Sequence, residues 1–250
     1  MKSDRKDVKN PAFRSEGLYE QSATPVTKRG VLMKTLLMLV IVIMSAVTTG
    51  VVLWDKVVAG DKTNLLILAL VGLLLTLALS LIIVFKPLLA KPLGLVYAVV
   101  EGYILGVISA LATQADGGHV VPTALLATLS IVVATNLLYT AGLVKVNEKF
   151  MSIVFMMTMG AFVFYLIIMV GGFFGLDRSF LFDGSPLSIG IGLLMLLIAS
   201  LNLFSDYKMV DIFIEEKTDK KYEWYLSFGL ILTIVWVYLE VLRIVQNFNK

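Results

Sequence analysis

The chain has 250 residues, of which 58% are hydrophobic and only 16% charged, and its mean hydropathy is +0.90. Soluble domains run at about 45–50% apolar and about 25% charged, so this composition excludes an ordinary water-soluble globule. Cysteine is absent and His119 is the single histidine, which excludes disulfides, cysteine-ligated zinc, covalent haem and thiol catalysis; the net charge of +3 matters less than where the positive charges lie.

Residues 1–30 are polar and of mixed charge and read as an N-terminal tail. After them the apolar excess falls in blocks of about 20 residues, the length of a helix that crosses a bilayer. The first block, about 35–54, is too long for a signal-peptide core and is expected to be a retained span. Six more follow, at about 65–85, 93–111, 123–143, 151–174, 187–206 and 224–245. The sixth has the composition to run on towards Ile214. The runs are continuously apolar and do not alternate, which predicts helices rather than a barrel. Prolines near the starts of the third, fourth and sixth spans suit the first turn of a helix. All connections are short, so residues 31–250 are expected to form one seven-helix transmembrane domain.

Lys and Arg set the orientation. With seven spans, sixteen of the 21 Lys and Arg residues fall on the side of the N-terminus. That predicts an all-α integral membrane protein with its N-terminus in the cytoplasm and its C-terminus outside.

The informative residues are the polar ones at membrane depth. Glu101 is the only charged residue between Lys91 and Asp116, and it lies about nine residues into its span, near mid-depth at about 1.5 Å per residue. An ionised carboxylate there costs about 2.5–3.5 kcal/mol or more. Glu101 must therefore face protein or water, or be protonated. Gly94, Ala98, Gly102, Gly106 and Ala110 recur every four residues beside it, a small-residue face that lets another helix come close. Two readings follow: a proton- or cation-responsive carboxyl, or a neutral acid hydrogen-bonded within the packing. At the end of span six, Asn202 and Asp206 share a helical face; Lys208 and Asp211 read as a solvated helix end. Span seven carries Glu223 at its inner start and Glu240 and Arg243, spaced to pair with each other, near its outer end. Thr233 and Asn136 add polar groups at membrane depth. There is no HExxH, GxSxG or phosphate-binding loop, and His119 with Asp116 reads as an exposed loop.

The segments NPAF (10–13), VYAVVEGYILGVIS (96–109), LNLFSD (201–206) and YEWYLSFGLILTIVWVYLEVLRI (222–244) resemble the YccA-like bacterial branch of the Bax inhibitor family, whose members carry the transmembrane Bax-inhibitor motif. The resemblance covers nearly the whole chain and is most specific in EGYILG and the C-terminal segment. It implies six helices around a central seventh, no enzyme activity and no cofactor. It also implies, for some members, a pH-sensitive calcium leak gated by two aspartates that share a proton, and for others regulation of a membrane protease or of cell death. On this chain the span-six aspartate falls on Asp206. The span-seven aspartate falls on Thr233, which cannot titrate, so the two-aspartate latch departs from the family pattern. Glu101 matches the span-three glutamate.

The expected function is thus a pH-sensitive leak of cations, calcium by family, in the plasma (inner) membrane. Glu101 and Asp206 would be the proton- and cation-sensing carboxyls, with calcium only transient there and no resident metal. Asn136, Asn202 and Thr233 would line the path, with Glu223, Glu240 and Arg243 secondary. The expected partners are the lipid bilayer, calcium and protons, and a membrane protease, with no nucleic acid. The alternative is a non-conducting membrane regulator that binds such a protease or another complex.

Overall fold

The computed structural model describes residues 24–60, 62–116 and 118–250. Among them are seven helices long and apolar enough to cross a membrane: α1 (Lys28–Val58), α2 (Lys62–Phe85), α3 (Ala90–Asp116), α4 (Val120–Thr140), α5 (Glu148–Phe173), α6 (Pro186–Glu215) and α7 (Glu223–Phe248). Short 3₁₀ turns precede α3, α6 and α7. The protein is an all-helical, multi-pass membrane protein.

Local chemistry sets several helix starts. The side chains of Thr27, Asn147 and Ser185 each accept a hydrogen bond from a backbone N–H in the first turn of α1, α5 and α6, satisfying donors that no carbonyl reaches. Pro186 opens α6, where its missing N–H is harmless. α6 continues without a break through Asp206 to Glu215. α1 begins at Lys28, inside the segment expected to be tail. Residues 24–27 are also held: Val26 N–H donates to Thr218 O at 2.9 Å and Lys220 N–H to Thr24 O at 2.9 Å. The remainder of that expected tail, residues 1–23 with Asn10–Phe13, lies outside the described residues.

The helices differ sharply in what they bury. α2, α4 and α5 present large apolar side chains outward, among them Val71, Leu75, Leu129, Leu137, Phe155 and Met156. This is the surface a hydrocarbon solvent favours. α7 instead buries Glu223, Ser227, Thr233, Glu240, Arg243 and Asn247 along its length. It packs against α1, α3, α4 and α6, while α2 rests on α3 and α5 on α6.

The small-residue face of α3 meets α1. A Cβ added at Gly102 would lie 2.4 Å from Val42 O, and one at Gly106 2.5 Å from Ala46 O. Both obstacles are backbone, so only glycine permits this approach. Ser45 on α1 uses the closeness to donate to Val99 O at 2.7 Å. α3 is thereby fixed with Tyr97 and Ala98 buried in the main core, together with Met38, Leu203, Phe228, Ile231 and Leu242.

Candidate functional site

Polar side chains inside the bundle form four groups, each placed by a helix–helix contact. The first closes the end where α1 and α7 begin and α6 ends. Glu223 is 0% exposed. Its Oε1 accepts from the Thr27 N–H at 3.0 Å and the Thr27 hydroxyl at 2.9 Å, and its Oε2 pairs with the Lys34 ammonium. Lys34 also lies 5.5 Å from the Trp224 ring centroid, a cation–π distance. Gly30 leaves room for the carboxylate: a Cβ there would come within 2.1 Å of Oε1 and push it off its donors. One turn on, the Ser227 hydroxyl donates to Glu223 O and Val31 O. Nearby, Asp211 accepts from Tyr139 at 2.7 Å and pairs with Lys28 at 2.8 Å, so it ties α1, α4 and α6 together rather than standing free at a solvated helix end.

The second group joins α6 to α7. The Thr233 hydroxyl donates to Asp206 Oδ2 at 2.6 Å. The position where the resemblance expected a second aspartate therefore does face Asp206, and a hydroxyl fills it. Asn202, one turn earlier on α6, turns to α5, its amide donating to Thr158 Oγ1 at 2.6 Å and to Ile198 O at 2.9 Å. Asn136 is exposed on α4. Its neighbour Thr135 is the buried residue and reaches towards the Tyr207 hydroxyl, 3.4 Å away.

The third group surrounds Glu101, which is 7% exposed. The polar side chains nearest its carboxyl are Tyr97, one turn back on α3, and Thr76 of α2, whose hydroxyl donates to Leu73 O at 3.0 Å. Tyr97 in turn packs edge-on against Phe228 of α7, ring centroids 5.0 Å apart. The polar neighbours of Glu101 lie on α2 and α3 and the hydrogen-bond partner of Asp206 on α7, so the structure does not bring the two acids to a shared contact.

The fourth group lies towards the other end of α7. Glu240 Oε2 pairs with Arg243 Nη2 at 2.5 Å. Glu240 Oε1 accepts from Tyr165 at 2.5 Å and from Trp236 Nε1 at 3.0 Å, and Arg243 sits 5.7 Å from the Tyr165 ring. The pair is local in sequence, as its spacing suggested, but it also clamps α5 to α7.

Two surface cavities are described. One of about 470 Å³ opens at the α5–α6 connection beside Asp177, Arg178 and Phe182. The other, about 360 Å³, lies between Lys28, Tyr139, Lys208 and Asp211. Neither is lined by Glu101 or Asp206. Among the described residues no cluster of three or more His, Asp or Glu side chains is placed to hold a metal ion.

A family model described as Bax inhibitor 1 like matches residues 10–250. The chain belongs to the Bax inhibitor 1 like family. No curated protein and no solved structure matches it. In this Bax inhibitor 1 like chain, Asp206 and Thr233 are direct partners across α6 and α7. Sequence reasoning missed Thr27, Lys34, Tyr97, Thr76, Tyr165 and Trp236. Thr27 had a signal: a threonine three residues before Gly30, at the edge of an apolar run, is an N-cap pattern. The others lie far along the chain from the acids they serve or, like Tyr97, resemble ordinary core aromatics.

Proposed function

We propose that this protein is a pH-sensitive cation leak, with calcium the conducted ion, of the YccA-like bacterial branch, set in the plasma (inner) membrane with its N-terminus inside and its C-terminus outside. α7 is the central helix with the other six around it, and the protein acts as a conduit, not an enzyme. The observation that carries this reading is the Asp206–Thr233 hydrogen bond, an acid inside a membrane-crossing helix held to α7 by one hydroxyl. Intramembrane acids are retained at a cost and mark ion and proton pathways. In this reading the contact is the closed gate. Glu101 is the second acid on the path, and calcium meets the two carboxyls only transiently, because it prefers six to eight oxygen ligands. The test is calcium flux into liposomes containing the purified chain, with Glu101→Gln and Asp206→Asn alongside. Flux whose pH response is lost in the variants supports the gate; unchanged variants overturn the gating roles.

A second reading, a non-conducting regulator that binds a membrane protease or other complex, is favoured by the anchoring of residues 24–27 to the α6–α7 connection. That anchoring fixes the position of Thr24, the residue to which the 1–23 segment is joined. The regulator reading predicts that deleting residues 1–23 abolishes partner capture while Glu101→Gln does not. The deletion stops at 23 because Val26 and Thr27 belong to the folded bundle.

A further inference from the structure

Beneath the α5–α6 connection, α6 and α7 bring together polar atoms used by none of the contacts above. Ser188 is 1% exposed, Asn247 2% and Arg243 7%. Ser188 Oγ, Arg243 Nε and Asn247 Oδ1 have no hydrogen-bond partner among the described residues. The helix register sets them at one level of the α6–α7 contact. A Cβ added at Gly192 of α6 would lie 2.8 Å from Ile244 Cγ1 and 3.8 Å from Arg243 Nη2. The two helices are antiparallel, so one turn from Gly192 towards the connection is Ser188, and one turn from Arg243 in the same direction is Asn247. The connection closes over this level. Asn247 Nδ2 donates to Leu181 O at 3.1 Å, Lys250 Nζ donates to Phe182 O, and Gly184 lies against Asn247 O.

The three free atoms have complementary roles. Because Nδ2 of Asn247 is occupied by Leu181, its free end is the carbonyl, an acceptor. Nη2 of Arg243 is occupied by Glu240, leaving Nε as a donor. The Ser188 hydroxyl can do either. One donor, one acceptor and one dual group are what a single water molecule satisfies, and buried waters make about three hydrogen bonds. An anion would face the Asn247 carbonyl and the neighbouring Glu240; a cation would face Arg243.

We propose that α6 and α7 hold an internal water molecule between Ser188 Oγ, Arg243 Nε and Asn247 Oδ1, capped by residues 181–184. The water accepts from Nε, donates to Oδ1 and shares a hydrogen bond with Oγ. It gives the guanidinium a second fixed contact through Nε beside the Nη2 bond to Glu240, so that pairing with Glu240 and contact with Tyr165 are held at once. This site stands whether or not the bundle conducts ions.

The experiment is an experimental structure of the full chain at a resolution that shows ordered water. A peak within about 2.7–3.2 Å of all three atoms is expected. An empty site, or three atoms satisfied by protein groups, overturns the proposal. Melting of Ser188→Ala, Asn247→Leu and the double variant in detergent is a second readout. If one water links the residues, the double variant melts no lower than the worse single variant. A drop equal to the sum of the single drops overturns the shared water.

Discussion

At the scale of single residues, the most exacting environment belongs to Glu223. A wholly buried carboxylate is tolerated because three donors converge on it, two from Thr27 and one from Lys34. Removing one partner of a buried pair leaves an uncompensated charge and costs about 3–5 kcal/mol. Lys34 retains some exposure, so Lys34→Met should fall near the lower end, about 3 kcal/mol. A drop in melting temperature far larger than that of an exposed-lysine control such as Lys145→Met checks it. Thr233→Val is a gentler test at Asp206. It keeps the branched shape and removes the only donor described for that half-buried carboxyl, leaving an acceptor unpaired at about 1 kcal/mol, the low end for a lost partner. In the leak reading the same variant raises resting calcium flux, because the contact joining α6 to α7 is gone; a parental leak rate in Thr233→Val would show that the contact is not the gate.

At the scale of helices and connections, the α1–α3 contact depends on glycine. Gly102→Ala places a methyl 2.4 Å from the Val42 carbonyl, and neither backbone can yield without parting the helices. Overpacking of this kind costs about 1–3 kcal/mol. Gly160→Ala on α5 is the matched control: a Cβ there meets nothing within 4 Å, and alanine is the better helix former by up to about 1 kcal/mol. Melting in detergent should therefore move in opposite directions for the two substitutions. The α5–α6 connection makes a prediction about pH. The Ser185 hydroxyl and N–H hold the Asp183 carboxyl below the usual aspartate range. An acid stabilised in its charged form contributes fully above its unfolded value of about 3.9 and loses that contribution as the pH falls through the lower folded value. Hydrogen-exchange protection of the Ser185 amide, corrected for intrinsic rate, should hold through neutral pH and fade only below about pH 4, and Asp183→Ala should abolish that pH dependence.

At the scale of the whole molecule, lipid made the outline readable. Each crossing must satisfy its own backbone bonds, so seven apolar blocks predicted seven helices, and the small-residue stripe announced the close approach later found between α3 and α1. The acid at membrane depth was equally visible, because charge is rare there. What could not be read was which helix answers which polar group. Lys34 and Glu223 are 189 residues apart, Tyr165 and Glu240 75 apart; only packing brings them together. Thr135 and Asn136 illustrate the same limit within one turn, since composition alone does not say which of two adjacent polar residues turns inward. Whether the molecule is an ion path is decided by calcium flux into liposomes at about pH 6 and about pH 8. Flux through the parent protein is expected to differ between the two conditions, with the difference lost in Asp206→Asn and Glu101→Gln. No calcium entry above that of empty liposomes at either pH would contradict the ion-path reading.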